Sequence, residues 1–586
     1  ILSEKSDVQK NNITVDSNEE DMYKPFPLTE VQYAYWIGRK EGQTIGRVGC
    51  HGYLEIDGEN VDPRRLEYAW DMLQVHHPML RVAYTKDGFQ KILKKPYKNG
   101  ITVYDYREKD ATEHLKNMRE KLSHRLMDID HGQVAELQIT LLPDGKTKIH
   151  FDIDLLICDV KSFQIILRDL GHTYVTGELP PAPAEWNFAE YIYRDEQRKL
   201  INSSEAEKYW KKRLETLPGN PEIPMRQVSN NVKPLFHRRK AVLSIEKWKR
   251  FKKIATSHGI TPAMALLTLY GSVIARWSQN QDFLMNIPLF NRNEEEEGIE
   301  NVVADFTTLL LLEMNLAEKR SFIKSAKKVQ NQFHQDMEYI DYSGIKLERD
   351  YKKLHPETEM VAPIVFSCNL GIPLFNHEFE EYLGHMSYMI SQTPQVWLDF
   401  QLFDVNEGMM MIWDSVDEVF PEHLLDDMFE AYTDSLEKLA TNEELWEMEN
   451  VISIDRQIQI RKSFEVTRND IPDGPIYGKF FDIAKSDGQR IAVVDEKLGN
   501  ITYEKLAYMA KSVGAYLRTQ SVKKGDSVGI ACCRGVGQIA AMLGVLASGG
   551  KYVIVGNTQP LNRKKVICDK ASIQLVITDE ENKWEE

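Results

Sequence analysis

The chain has 586 residues, which is too long for one hydrophobic core, so its length predicts three or four domains. Apolar residues make up 42% of the chain and charged residues 28%, as in an ordinary soluble globular protein. The formal net charge of −16 argues against a general affinity for nucleic acid or anionic membranes, and no apolar run approaches the length of a membrane span.

Six cysteines are present, none of them in a Cys-x-x-Cys pair and most of them in apolar runs. This pattern favours reduced, buried thiols in a cytoplasmic protein. No signal peptide is visible, and because the first residue is Ile we expect the sequence to be a piece of a longer chain.

The first part of the chain alternates predicted strands and helices after a polar, acidic leader at residues 1–22. Order begins with a helix for which Thr29 is the expected N-cap. The predicted strands are 52–56, 133–142 and 147–153, and the predicted helices are 63–75, 110–127 and 187–215. We assign residues 23–205 to a first lobe.

A second lobe is predicted at residues 206–455, and its most apolar element is a helix at 261–277 that begins with Pro262. The predicted strands are 239–245, 282–289, 309–314, 364–369, 396–403 and 409–414, and a helix at 422–441 closes the lobe. Because helices and strands are mixed in both halves, the pattern predicts an α+β, two-lobed arrangement.

Residues 456–476 are polar and carry a Pro-Asp-Gly-Pro turn cluster, so they predict a linker. From residue 477 to residue 586 strands and helices alternate as in an α/β sheet. No Gly-rich phosphate loop occurs in this segment.

The stretch at residues 150–162 places two carboxylates in apolar surroundings. Asp154 and Asp159 lie five residues apart, and Ser162 follows three residues later. Buried carboxylates are costly unless they are paired or hydrogen-bonded. The stretch is therefore either a structural ion-pair site or part of an active site, and the residues alone leave both alternatives open.

Seven motifs in order give the first 450 residues a specific resemblance. They are Phe-Pro-Leu-Thr-x-x-Gln-x-Ala-Tyr-x-x-Gly-Arg at 26–39, Leu-Arg at 80–81 with Asp-Gly-Phe-Gln at 87–90, Asp-x4-Asp-x2-Ser at 154–162, and the segments 261–277, 304–312, 363–370 and 391–399. Together they resemble the heterocyclization domains of nonribosomal peptide synthetases, which belong to the condensation-domain superfamily.

Ordinary condensation domains carry His-His-x-x-x-Asp-Gly where this chain has Asp154, Leu155 and Val160 at the two His and the Gly positions. A leucine cannot accept a proton, so any catalysis here does not use a histidine at that place. The difference separates the heterocyclization interpretation from plain amide synthesis.

Residues 477–586 resemble the N-terminal part of an adenylation domain of the AMP-forming class. The motifs are Ile-Thr-Tyr-Glu-Lys-Leu at 501–506 and Leu-Ala-Ser-Gly-Gly-Lys-Tyr-Val-Ile-Val-Gly at 546–556. The two resemblances together imply two chloramphenicol-acetyltransferase-like lobes that form a V with a central tunnel, followed by an α/β fragment. The family's phosphate loop and catalytic lysine lie downstream, so this fragment alone is not expected to activate an amino acid.

The resemblance implies a reaction in two stages: amide formation between carrier-bound substrates, then cyclisation and dehydration to a thiazoline or oxazoline. We expect Asp399 to handle the protons of the second stage and Ser367 to orient it by a hydrogen bond, although Asp399 could instead only cap a strand or pair with an arginine. Asn291, Gln395 and Cys368 are expected to position the substrate, although Asn291 could instead only form a turn.

Asp154 and Asp159 are expected to be structural, pairing with Arg39 or Arg81, with Ser162 in the same motif. The alternative is direct chemistry by Asp159. Two departures from the family pattern bear on the site, namely Ala304 in place of the usual Gly and Ser367-Cys368 in place of the usual Thr-Ser.

The implied partners are an upstream donor and a downstream acceptor peptidyl carrier protein, with their phosphopantetheine arms, and the adenylation domain of the same module. No cofactor or metal is expected to bind the domain directly, and ATP with Mg²⁺ would serve only a complete adenylation domain. The alternative function is a condensation-only or degenerate domain that acts as a docking scaffold for carrier proteins.

Overall fold

The computed structural model describes residues 21–40, 48–182, 184, 186–226, 234–293, 295–371, 373–465, 473–556 and 558–579. Most of the predicted leader at residues 1–22 lies outside this range. The chain divides into two compact units, residues 1–458 and 459–586.

The first unit is a mixed α and β structure. Its strands are β1 (Phe26–Pro27), β2 (His51–Glu59), β3 (Val82–Tyr84), β4 (Phe89–Ile92), β5 (Thr102–Asp105), β6 (Ala135–Leu141), β7 (Lys146–Asp154), β8 (Phe236–Ser244), β9 (Asp282–Phe290), β10 (Thr307–Asn315), β11 (Ile364–Asn369), β12 (His385–Gln392), β13 (Leu398–Val405) and β14 (Gly408–Val416). Its helices are α1 (Glu30–Gly38), α2 (Pro63–His76), α3 (Thr112–Ser123), α4 (Val160–Thr176), α5 (Phe188–Leu214), α6 (Ile245–Ser257), α7 (Pro262–Trp277), α8 (Phe322–Met337), α9 (Gly344–Leu354), α10 (His377–Tyr382) and α11 (Leu424–Thr441).

Helix starts follow the local sequence. Thr29 caps α1 by accepting a hydrogen bond from the backbone N–H of Gln32, whose side chain bonds back to Thr29, as predicted. Asp62 and Thr261 cap α2 and α7, each of which has proline at its first position.

Two large sheets organise the two lobes of the first unit. The five-stranded sheet of the first lobe has the order β12-β2-β7-β6-β5, and the six-stranded sheet of the second lobe has the order β10-β9-β11-β13-β14-β8. In the second sheet β11 runs parallel to both β9 and β13. The apolar helix α7 packs on this sheet, where Tyr270 contacts the rings of Phe400 and Trp413.

Strand β12 crosses from the second lobe to the first, a feature that the sequence did not predict. It pairs antiparallel with β2, from His385 opposite Asp57 to Gln392 opposite His51. Most side chains of β12 are only half buried, so this strand does not need the strong apolar alternation by which a strand is predicted from sequence. The boundary placed between residues 205 and 206 therefore does not separate the two sheets.

The segment predicted as a linker at 456–476 begins with a helix, α12 (Asp455–Phe464), and residues 466–472 lie outside the described range. The second unit then contains α13 (Gly478–Ser486), β15 (Ile491–Asp495), β16 (Gly499–Thr502), α14 (Tyr503–Thr519), β17 (Ser527–Ala531), α15 (Val536–Ser548), β18 (Lys551–Ile554), α16 (Leu561–Ala571) and β19 (Leu575–Thr578). Strands β18, β17 and β19 form a parallel sheet in that order, and β15 and β16 form a hairpin.

Across the described residues no single helix is long and apolar enough to cross a membrane. The pair α6 and α7 passes that test only when taken together, and it is bent by 98°.

Candidate functional site

A cavity of about 460 Å³ lies between the two lobes of the first unit and is lined from both of them. Lining residues from the first lobe include Tyr33, Tyr35, Cys50, Leu155 and Asp159, and those from the second include Asn286, Asp305, Ser367, Asp399 and Gln401. Its wall is mostly apolar with a few polar groups, which is typical of a small-molecule site.

Asp399 faces this cavity because of the alternation of β13. Asp399, Gln401 and Phe403 line the cavity, whereas Phe400 and Leu402 pack into the core of the second lobe. Only 9% of the Asp399 surface is exposed. A carboxyl group thus lies on the cavity wall with little contact to bulk water.

The surroundings of Asp399 favour its protonated form. Gln401 Nε2 donates a hydrogen bond of 2.6 Å to Oδ2, while Oδ1 is buried and has no hydrogen-bond partner among the described residues. Burial, and then the negative charge of Asp414, raise the pKa of Asp399 to about 7, although the Gln401 bond and Arg238 act in the opposite direction. A carboxyl group of this kind can both give and take a proton near neutral pH.

The prediction that Ser367 donates a hydrogen bond to Asp399 is wrong. Ser367 faces the cavity from β11, but its nearest hydrogen-bond partner is Asn369 Nδ2 at 3.5 Å. In the strand register Ser367 lies opposite Gln401, and Asp399 lies opposite Val365. Gln401 is therefore the residue that sequence reasoning missed, and its position two residues after Asp399 on the same strand face was the available signal.

Two of the three residues expected to position the substrate do not line the cavity. Cys368 points to the opposite face of β11, where it packs against the core and burial raises its pKa to about 11. Asn291 follows the end of β9, and its backbone bonds to Phe306 and Tyr191. Strand alternation thus places Cys368 away from the cavity, whereas a substrate-positioning role for Asn291 stays a prediction, although Asn291 is not among the cavity-lining residues.

Gln395 does line the cavity, and it adopts a left-handed backbone conformation with φ of 62°. The polar side chain that β9 presents to the cavity is Asn286, whose Oδ1 is buried with no hydrogen-bond partner among the described residues. Asn286 lay in a predicted strand and was not singled out.

The carboxylates of the Asp-x4-Asp-x2-Ser motif are held by two different arginines. Asp154 pairs with Arg39, as predicted, and Arg39 also donates to the carbonyl oxygen of Met127 at 2.8 Å. Asp159 pairs with Arg292 at 2.9 Å. Arg81, the other expected partner, instead donates to backbone carbonyl oxygens at residues 74, 75 and 93.

Asp159 and Ser162 tie the two lobes together. Asp159 caps α4 by accepting from the backbone N–H of Ser162 at 2.6 Å. The Ser162 hydroxyl donates to the carbonyl oxygen of Ala304 at 2.6 Å and accepts from Arg292 at 2.8 Å. Residues 302–304 in turn pack into the core of the first lobe. This arrangement has the form of a structural junction.

Asp305 is a second carboxyl group of the cavity wall with a pKa raised to about 7, mainly by burial. Its Oδ1 accepts from the backbone N–H of Thr307 at 3.0 Å, and its buried Oδ2 has no partner within the described part of the chain. Arg292 lowers the pKa and Asp159 raises it. The sequence showed this residue only as part of a motif.

Two family models match the chain, the condensation domain over residues 22–457 and the AMP-binding enzyme over residues 480–586. The chain is 33% identical over 568 residues to pyochelin synthetase PchE of Pseudomonas aeruginosa, covering 96% of this chain and 39% of that protein. It is 33% identical over 573 residues to phenyloxazoline synthase MbtB of Mycobacterium tuberculosis, covering 94% and 39%. The chain thus spans about two fifths of the length of these relatives.

Among solved structures, the EpoB cyclization-docking bidomain of a nonribosomal peptide synthetase from Sorangium cellulosum is 30% identical, with a TM-score of 0.67, over 73% of this chain and 87% of that chain. The predicted fold class, two α+β lobes followed by an α/β fragment of an AMP-forming enzyme, is confirmed. The chain belongs to the condensation-domain family of nonribosomal peptide synthetases and continues into the start of an AMP-binding enzyme domain.

Proposed function

We propose that residues 22–457 form a heterocyclization domain. It condenses an acyl or peptidyl thioester, held on an upstream donor carrier protein, with Cys, or Ser or Thr, held on a downstream acceptor carrier. It then cyclises and dehydrates the product to a thiazoline or oxazoline. The observation that carries the proposal is a buried carboxyl group, Asp399, on the wall of a cavity that both lobes line.

The first stage forms the amide. The amine of the acceptor residue attacks the donor thioester, so a carbon–nitrogen bond forms, the carbon–sulfur bond breaks, and the thiol of the donor arm leaves with a proton. Leu155, at the position where condensation domains carry histidine, lines the cavity and offers no base. This stage therefore relies on bringing the two substrates together more than on an imidazole.

The second stage forms the ring. The side-chain thiol or hydroxyl adds to the new amide carbonyl, and its proton passes to the carbonyl oxygen, which becomes a hydroxyl group. Protonated Asp399 gives its proton to this hydroxyl, which leaves as water, and the carbon–nitrogen double bond forms as the Asp399 carboxylate takes the proton from nitrogen. The carboxyl group ends the cycle protonated, as it began.

The environment of Asp399 suits this cycle. Its pKa near 7 leaves the acid form populated at neutral pH, and the acid is still strong enough to release its proton. Gln401 Nε2 holds the carboxyl group by its bond to Oδ2, with Asp399 on the cavity wall where the substrate would lie. Ser367, Gln395 and Asn286 supply further polar groups on the same wall for orienting the amide.

The partners follow from the two substrates. Donor and acceptor peptidyl carrier proteins would deliver them on phosphopantetheine arms, and the adenylation domain of the same module would load the acceptor, with ATP and Mg²⁺ serving only that complete domain. A cytoplasmic location is part of the proposal, since none of the six cysteines, all of them among the described residues, forms a disulfide.

The division into lobes at 23–205 and 206–455, a linker at 456–476 and an adenylation part at 477–586 also stays a proposal, with β12 exchanged between the lobes.

The test is a single incubation of this chain with a loaded donor and a Cys-loaded acceptor carrier, read by intact mass of the acceptor. The proposal expects the acyl group on the acceptor with a mass lower by one water than the linear amide. The linear amide alone would indicate a condensation-only domain, and an unmodified acceptor would indicate a docking scaffold; either result contradicts the proposal.

A further inference from the structure

Three neighbouring strands of the second sheet carry a row of charged side chains that begins at Asp399. Asp399 on β13 lies directly opposite Asp414 on β14, and Asp414 lies directly opposite Arg238 on β8. Residues directly opposite each other project to the same face, with Cβ atoms about 5 Å apart. Two carboxyl groups and one guanidinium group are thus neighbours on the cavity side of the sheet.

Asp414 is fixed and completely buried. Arg238 contacts both of its oxygens, with Nε donating to Oδ1 at 2.7 Å. Ser391, at the end of β12, donates to Asp414 Oδ2 from both its backbone N–H at 3.2 Å and its hydroxyl at 2.8 Å. These hydrogen bonds to Arg238 and Ser391 hold the Asp414 carboxylate in one orientation.

A hydrogen-bonded path joins Asp414 to Asp399. The amide nitrogen of Gln401 donates to Ser391 Oγ at 2.6 Å and to Asp399 Oδ2 at 2.6 Å. Asp414 does not line the cavity, so it does not meet the substrate. Its effect on the reaction must pass through Asp399.

We propose that Asp414, clamped by Arg238 and Ser391, is a positioning residue whose fixed negative charge keeps Asp399 in the acid form that the ring-forming stage requires. The inference rests on the proposed function above. Without Asp414, the carboxyl group of Asp399 would ionise at lower pH, and the ring-forming stage would lose its acid earlier as pH rises.

The other ionisable groups near Asp399 do not supply this charge. Tyr35 on α1 and Tyr270 on α7 are neutral, because burial raises the pKa of each well above 10. Arg238 acts in the opposite direction, and its effect on the pKa of Asp399 is smaller than that of Asp414.

The experiment measures the ring-forming stage alone as a function of pH. The linear amide is attached chemically to the acceptor carrier, the full chain is added, and loss of one water is followed by intact mass. For the wild type we expect the rate to fall as pH rises through about 7. For Asp414→Asn we expect the rate of ring formation to fall at a pH lower by about one unit, while the rate of amide formation stays unchanged.

Two further variants keep the test decisive. Asp414→Asn leaves Arg238 buried without its charged partner, so the double variant Asp414→Asn with Arg238→Gln is made as well. The new Asn and Gln side chains are uncharged and can still hydrogen-bond each other. We expect the pH dependence of ring formation to shift in the same direction as in Asp414→Asn, but by less. The matched control is Asp336→Asn, which breaks the buried pair with Arg213 away from the cavity and should leave the pH dependence unchanged.

A wild-type pH dependence in the folded single or double variant would overturn the inference, as would an equal shift in Asp336→Asn. If the wild type itself forms no ring, the proposed function fails. If it forms the ring and the variants show no shift, only the role of Asp414 fails.

Discussion

The chemistry proposed at Asp399 depends on keeping a carboxyl group away from water, and that same burial costs stability once the group ionises. Asp305 shows the cost without the proposed catalysis. Its pKa is about 7 in the folded protein against an ordinary value of 3.8, so the unfolded chain loses the proton first as pH rises. The folded state therefore loses stability between about pH 4 and pH 7.

Asp305→Asn should accordingly stabilise the first unit at pH 8 and not at pH 4. The gain expected at pH 8 is about 2–4 kcal/mol, because one pKa unit corresponds to about 1.4 kcal/mol, and Asn can still accept the hydrogen bond from Thr307. Urea unfolding at the two pH values measures it, with the exposed Asp130→Asn as the control. An equal effect at both pH values would contradict this account.

The pairing of Arg292 with Asp159 leads to a different prediction. Arg292→Gln leaves Asp159 buried with too few partners, so we expect a loss of about 3–5 kcal/mol in the free energy of unfolding and a parallel loss of both reaction stages. The control is Arg107→Gln, which breaks an exposed pair and should leave stability unchanged within error. A stable Arg292→Gln protein that lacks only ring formation would instead place Asp159 in the chemistry.

At the scale of single residues, the sequence located the carboxyl group but not its neighbours. Asp399 was found through a motif, and alternation along one strand would have added Gln401. Asp414 and Arg238 could not be found, because they come together only through the pairing of β13, β14 and β8. Cys368 was misplaced for the opposite reason, since adjacent strand residues face opposite sides.

At the scale of elements, the strand β12 decides how the two lobes are joined. It leads directly into the loop before β13, so its pairing with β2 and the position of Asp399 belong to one continuous segment. Gly384, just before β12, has φ of 109°, and a Cβ there would lie 2.1 Å from the carbonyl oxygen of Asp57 on β2. The close approach of two backbones requires glycine.

Gly384→Ala should therefore destabilise the first unit more than Gly371→Ala. Gly371 has a similar φ of 100°, and a Cβ there would meet no atom of the described residues within 4 Å, so it reports the backbone strain alone. We expect the free energy of unfolding to fall by about 2 kcal/mol more for Gly384→Ala, measured by urea denaturation. Equal losses in the two variants would mean that β12 and β2 separate easily at this end.

The elements that the sequence predicted well are those with a strong apolar period. The strand 364–369 and the helix at 187–215 were placed within a residue of their observed bounds. β12 and α12 were missed because β12 is only half buried and α12 has no buried residues, so neither carries an apolar face. Tertiary pairing, rather than local pattern, makes β12 a strand.

At the scale of the whole molecule, two units with separate cores predict two unfolding transitions. The buried apolar residues of the second unit form two small clusters, one around Val528 and Ile530 and one around Ile501 and Leu506. Since less apolar surface is buried there, we expect the second unit to unfold first in a calorimetric scan. Asp305→Asn should move only the later transition, and a single shared transition would contradict this account.

In the proposed mechanism one buried carboxyl group, that of Asp399, performs the ring-forming stage and is dispensable for amide formation. The most direct measurement is the intact mass of the acceptor carrier after reaction with Asp399→Asn, beside Asp404→Asn, which lies on the same strand and accepts from Trp248 outside the cavity. The account predicts the linear amide from Asp399→Asn and the dehydrated ring from Asp404→Asn. Normal ring formation by a folded Asp399→Asn protein would contradict it.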